Sequence, residues 1–315
     1  MIVGALFLVV GLVLILWGAE RFTDGAIRTA MRFALSPFFV GAVVSGFEPE
    51  NLITGMAAAA GGLPQIALGT AIGSAVFLLT GALGLALLLV PMAVRIPRAG
   101  PLAMLAILAL FTGVTLRRGT VGRPDGALLA AAAIALVIWL YLRSPVFRRS
   151  VGAENKADEL DGSSGAVRAL ALLIGGTGAL ILGAELVVFG VRSLLSTTRL
   201  SETFLGMTVI GMSESLEETA RMVAPARRGH PELAWGNVVG TVVILLGLNL
   251  GVIALMRPLT ADPLVLRFHV PFLVGCAVIV AVALLSAKKL GRGMGAFLIA
   301  LYAVYLAVNL AYMWQ

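Results

Sequence analysis

The chain contains one cysteine, Cys276, and two histidines, His230 and His269. A lone cysteine excludes an intrachain disulfide, and so few sulfur and imidazole donors exclude the usual zinc and copper sites. Charge is scarce as well. Asp, Glu, Lys and Arg make up 12% of the 315 residues, against about 25% in an ordinary soluble domain. Hydrophobic residues reach 60% and the mean hydropathy is +1.02, which excludes a soluble fold. The net charge of +7 does not indicate a nucleic-acid partner, because the basic residues flank apolar runs as in membrane proteins. No glycine loop that could cradle phosphate and no nucleophile beside a base is found. The sequence therefore predicts neither an enzyme nor a bound cofactor. The apolar run at 2–17 has no basic lead and no small-residue cleavage site, so it reads as a first span rather than a signal peptide.

What is present in abundance is apolar sequence in lengths that can cross a bilayer, roughly 20 residues each. Ten spans are predicted, near 2–18, 36–60, 64–92, 100–116, 125–142, 167–190, 202–225, 232–256, 268–287 and 293–313. The second, third, seventh and eighth carry Gly, Pro or acidic breaks and are expected to include discontinuous helices. The long polar stretch 143–166 reads as a linker. With the N-terminus outside, sixteen of the 23 lysines and arginines fall on the inner side. That bias puts the linker in the cytoplasm and both termini outside, in a cell-membrane protein surrounded by lipid. Trp17, Trp139, Trp235 and Trp314 lie near span ends and are expected to anchor the interface.

The two halves repeat. GAERFTDGAIRTAMRFALSPFFVG at 18–41 matches GAELVVFGVRSLLSTTRLSETFLG at 183–206, offset by 165 residues without a gap. Each half continues through an acidic cluster into a glycine motif, ALGTAIGSAVFLLTGALG at 67–84 and AWGNVVGTVVILLGLNLG at 234–251. Five spans per repeat is an odd number, so the second copy must enter the membrane inverted. The predicted fold is an all-α polytopic protein of two inverted five-helix repeats, 1–142 and 167–315, joined by 143–166. In secondary transporters built this way the substrate site lies near the midplane, at broken helices.

The acidic clusters are SGFEPEN at 45–51 and GMSESLEET at 211–219. A carboxylate in the bilayer core costs at least ~3 kcal/mol and by default marks an ion or proton pathway. Glu214 and Glu218, four apart on a helix, share a face, as do Glu217 and Arg221. Arg221 can neutralise a glutamate and take the place of a monovalent cation. It can equally snorkel to the cytoplasmic interface and pair there with Glu217.

These motifs together resemble the cation/calcium exchanger superfamily, which includes the sodium/calcium exchangers. Its repeat runs G-x-T-V-x-A-x-G-T-S-x-P-E-L and then, further on, G-N-x-x-G-S-N. Gly206, Thr208, Val209, Ser215 and Glu218 fall on the first pattern, and Gly236, Asn237 and Gly240 on the second. Pro49, Glu50, Gly69, Gly73 and Ser74 correspond in the first half. The resemblance implies an antiporter that exchanges a small cation, with Ca²⁺ the first candidate, for Na⁺ by alternating access. It also implies Glu50 and Glu218 as the main ligands, with Thr70 and Asn237 adding neutral oxygens. The chain departs from the pattern: the Thr-Ser pair is Gly46–Phe47 in one half and Glu214–Ser215 in the other, and the second proline is Glu217. Glu48, Glu214, Ser215 and Glu217 are thus candidates for a further cation or proton site, with Arg221 for charge compensation. A cation/proton antiporter on the same scaffold is the nearest rival. A channel or a non-transporting membrane scaffold is a more distant one.

Overall fold

A computed structural model describes residues 2–33, 35–60, 64–144, 163–195, 211–261 and 263–313. Eight helices among them are long and apolar enough to cross a membrane. They correspond to the predicted spans other than 36–60 and 202–225. The first of those two is broken. Residues 202–210 of the other, and most of the 143–166 linker, lie outside the described residues.

The chain forms two compact units. One comprises 1–37 and 146–230, the other 38–145 and 231–315. Each takes segments from both sequence halves, so the repeats and the compact units are different divisions of the molecule.

The smaller unit holds α1 (Ile2–Arg32), α8 (Ser163–Leu195) and α9 (Gly211–Arg227). α1 is longer than the 2–18 span expected from hydropathy. It packs against α8 through glycines spaced by seven: Gly4, Gly11, Gly18 and Gly25 on α1, and Gly176, Gly183 and Gly190 on α8. A Cβ on Gly11 would lie 2.7 Å from the Gly183 carbonyl oxygen, one on Gly18 2.9 Å from that of Gly176, and one on Gly190 2.7 Å from that of Gly4. The partner numbers fall as the α1 numbers rise, so the helices run antiparallel. Small residues along such a seam let backbones approach closely, which drives helix association where lipid is already apolar. Gly11 and Gly176, Gly18 and Gly183, and Gly25 and Gly190 are counterparts at the 165-residue offset. The two repeats therefore meet head to tail, as the inverted repeat requires.

In the larger unit, α2 (Pro37–Val40) runs into a π-turn, Gly41–Ser45, and α3 (Pro49–Ala60) begins after a break at Gly46–Glu48. Pro49 suits a first helical position, where no N–H is needed. The Leu52 N–H donates to the Glu48 carbonyl (3.4 Å), so Glu48 stands at the start of α3, where the helix dipole favours negative charge. α4 (Pro64–Phe77) passes through a π-turn, Leu78–Ala82, into α5 (Leu83–Leu89). Its counterpart α10 (Pro231–Val243) passes through Ile244–Asn249 into α11 (Leu250–Met256). The remaining helices are α6 (Ala99–Arg118), α7 (Arg123–Arg143), α12 (Val270–Ser286), which follows a π-turn at Val265–His269, and α13 (Arg292–Met313).

Two-residue strands join the helix ends. β1 (Met92–Ala93) pairs antiparallel with β4 (Lys289–Leu290), and β2 (Thr120–Val121) with β3 (Leu259–Thr260). β1 and β3 are repeat counterparts, as are β2 and β4, so the two pairings are one arrangement seen twice. Helix contacts repeat in the same way: Gly84 packs on Gly295, and Gly251 on Gly126. Trp235 departs from its expected interfacial place. It is fully buried, and its Nε1 donates to the Ala93 carbonyl (2.9 Å). Position near a span end gave the wrong reading because it reports depth along the helix, whereas packing decides which face is covered.

Candidate functional site

In the larger unit the site begins with two glycines. A Cβ at Gly236 would collide with the Phe38 carbonyl, and one at Gly240 with the Ala42 carbonyl. Their absence of side chains lets α10 lie against the backbone of residues 38–42. The same close approach carries Asn237 and Thr241, each one position past a glycine, to the broken end of the second predicted span. Ser45 Oγ donates to Asn237 Oδ1 (2.5 Å), and Thr241 Oγ1 donates to Glu48 Oε1 (3.5 Å). Asn51 Nδ2 donates to the other Glu48 oxygen. Glu48 and Asn237 are buried, as are Ser45 and Thr241.

Asn237 and Glu48 were anticipated; Ser45, Asn51 and Thr241 were not. Thr241 had a signal, since it occupies the serine place of the glycine motif. Ser45 had none, because its partner lies 192 residues away. Replacing Asn51 with leucine leaves one oxygen of a buried carboxylate without its amide donor. Loss of that donor should cost about 1–3 kcal/mol, seen as a lower unfolding temperature of the detergent-purified protein.

In the smaller unit, α9 carries Glu217, Glu218 and Arg221, all buried. Arg221 is 3% exposed. Its Nη2 donates to Glu217 Oε1, and its Nη1 to Glu218 Oε1 at 3.3 Å. The expected pairing with Glu217 occurs, and the guanidinium is buried against the preceding helical turn. Two carboxylates, three and four positions earlier on the same helix, offer it more than an open interface would. At the end of α9, Arg228 pairs with Asp24 and lies 3.8 Å from Glu20 on α1. Glu20 and Asp24, one turn apart on α1, thus share one arginine.

Among the predicted site residues, Glu48 and Asn237 share a network within the larger unit, and Glu217, Glu218 and Arg221 interact within the smaller one. Glu50 and Thr70 fall on α3 and α4, and Glu214 and Ser215 on α9, but these four side chains lie outside the described residues, as do Gly206, Thr208 and Val209. Among the described residues no group of three or more His, Cys, Asp or Glu side chains is placed to hold a metal ion. Chemically, the two networks offer buried carboxylates, each already engaged by hydrogen-bond donors or a guanidinium. Such groups suit cations that must be released again.

Residues 3–142 and 168–311 match the sodium/calcium exchanger protein family. The chain belongs to the sodium/calcium exchanger family. The match covers both repeats and omits the linker. Relatives span its full length. The chain is 28% identical to the "Uncharacterized membrane protein MJ0091" of Methanocaldococcus jannaschii, covering 98% of each. It is 30% identical to the "Inner membrane protein YrbG" of Escherichia coli K12, covering 98% of this chain and 97% of that one. Among solved structures it is similar to the sodium-calcium exchanger NCX_Mj soaked without Na⁺ and Ca²⁺, with a TM-score of 0.83 and 25% identity over 97% of this chain and 98% of that one. Membership in the exchanger family makes the chain an integral membrane transporter of inorganic cations and not an enzyme. Against that background Glu217 and Arg221 stand out. The family pattern has proline where this exchanger has Glu217, and the arginine answers the extra acid one turn later.

Proposed function

We propose that this protein is a secondary antiporter that moves Ca²⁺ in one direction across the cell membrane and Na⁺ in the other. The observation that carries this reading is Glu218, which occupies the family's acidic position and is buried on α9. Glu50 is its counterpart in the first repeat. These two carboxylates are the main cation ligands, and Thr70 and Asn237 add neutral oxygens. Ca²⁺ takes six to eight oxygen ligands, readily including carbonyls and water. Two carboxylates facing the same ion repel each other unless a cation lies between them. Movement of the empty site is therefore costly, and exchange is favoured over leak. Glu48, Glu214, Ser215 and Glu217 extend the polar lining, and Arg221 offsets part of its negative charge. The repeats 1–142 and 167–315 are joined by a cytoplasmic linker, 143–166, and both termini are outside, as the distribution of basic residues supports.

Uptake of radiolabelled Ca²⁺ by proteoliposomes loaded with Na⁺ tests the reading. Wild-type protein should accumulate Ca²⁺ only with an outward Na⁺ gradient, and Glu50→Gln and Glu218→Gln should each reduce uptake to the level of empty vesicles. The buried surplus carboxylates Glu48 and Glu217 favour one alternative, exchange of the cation for protons. Uptake driven by a pH gradient alone, with no response to Na⁺, would establish that alternative and sink the sodium-coupled one.

A further inference from the structure

Arg221 is the only buried lysine or arginine among the described residues. A guanidinium held inside a membrane transporter needs a reason, because burying a charge is expensive unless its partners are fixed. Two carboxylates of its own helix are among its partners. Glu217 takes Nη2 and Glu218 takes Nη1, 3.3 Å away. The planar fork of arginine suits such divided contact, and its charge is permanent at any physiological pH. Anchored on Glu217, the guanidinium is held in one orientation against the very carboxylate that the family pattern marks for cation binding.

Resting on the reading of Glu218 as a cation ligand, we propose that Arg221 is a tethered counter-cation that takes the place of one monovalent ion in the transport cycle. The charge count among these three residues is two carboxylates and one guanidinium, a net of −1. A mobile Na⁺ at Glu218 Oε1 would have to displace a positive group that cannot diffuse away. The carrier then moves one Na⁺ fewer per Ca²⁺ than it would with Glu218 unpaired, and it binds Ca²⁺ less tightly, because a fixed positive charge sits beside the ligand. A purely structural Glu217–Arg221 pair makes neither prediction.

The double variant Glu217→Gln/Arg221→Gln separates these cases. It removes one charge of each sign, so the sum stays at −1, now carried by Glu218 alone and released from the guanidinium. Two measurements apply: the Na⁺-to-Ca²⁺ flux ratio from reversal conditions in proteoliposomes, and Ca²⁺ binding to detergent-solubilised protein by calorimetry. The expected result is one additional Na⁺ per Ca²⁺ and a Ca²⁺ affinity increased on the order of tenfold, the scale on which a neighbouring charge biases a carboxylate. An unchanged Ca²⁺ affinity would overturn the inference, and so would an unchanged flux ratio in protein that exchanges Na⁺ for Ca²⁺. The binding measurement needs no turnover, so it applies even if wild-type protein fails to exchange Na⁺ for Ca²⁺, a failure that would count against the proposed function instead.

Discussion

Arg221→Gln should destabilise the protein by about 3–5 kcal/mol, the usual cost of removing one partner from a buried ion pair. Glutamine keeps much of the side-chain volume and can still donate hydrogen bonds, so the loss is chiefly one of charge. Glu217 and Glu218 would then be two adjacent buried carboxylates with the guanidinium gone, each raising the cost of ionising the other. The double variant Glu217→Gln/Arg221→Gln should recover most of the loss, because replacing both members of a buried pair is often close to neutral. Thermal unfolding of wild type, both single variants and the double variant forms a complete cycle. Equal midpoints for Arg221→Gln and wild type would show that the contacts with Glu217 and Glu218 carry no weight in the folded protein.

Gly240→Val should be nearly as damaging, for a reason unrelated to charge. At this position even a Cβ runs into the carbonyl of Ala42 and also meets that residue's Cα and carbonyl carbon. These atoms belong to backbone in the π-turn, which cannot step aside as a flexible side chain could. Relief requires α10 to move away from residues 38–42, and with it Asn237 and Thr241 from Ser45 and Glu48. Overpacking of this kind typically costs about 1–3 kcal/mol and sometimes more, and a branched residue against main chain belongs at the upper end. The variant should show a depressed unfolding temperature and a reduced yield of monodisperse protein. Gly113→Ala is the matched control. Gly113 lies on the exposed face of α6, and no described atom comes within 4 Å of an added Cβ, so this change should leave the midpoint unchanged or slightly raised. A Gly240→Val protein as stable as wild type would contradict the close approach of α10 to the π-turn.

Much of the architecture was legible in the sequence because it rests on long apolar runs and on one gapless internal match. The match at 165 residues predicted that the halves correspond, and the seam between α1 and α8 follows the same offset. Arg221 and Glu217 were legible as neighbours because helical spacing alone puts i and i+4 on one face. Ser45 and Asn51 were not legible, since their contacts depend on where a helix breaks and which turn of α10 comes to rest there. The π-turns were hidden for a related reason. Hydropathy in Leu78–Ala82 and Ile244–Asn249 continues unchanged through the extra residue, so nothing in composition marks it. Trp235 was misread because aromatic residues at span ends serve equally as lipid anchors and as packing wedges, and only the carbonyl of Ala93, 142 residues away, tells them apart.

The reciprocal pairing of the short strands bears on how such a protein could arise. β1 in the first half needs β4 in the second, and β3 in the second needs β2 in the first; Gly84 and Gly251 find their partners in the same crosswise fashion. A half-length ancestor could have satisfied none of these contacts by itself. It could satisfy all of them by meeting a second copy of itself turned over in the bilayer, because each exchange is its own mirror under the repeat. In that arrangement the half-length chain must insert in both orientations. Joining two copies in one chain lifts that requirement and lets an uneven distribution of basic residues fix a single orientation.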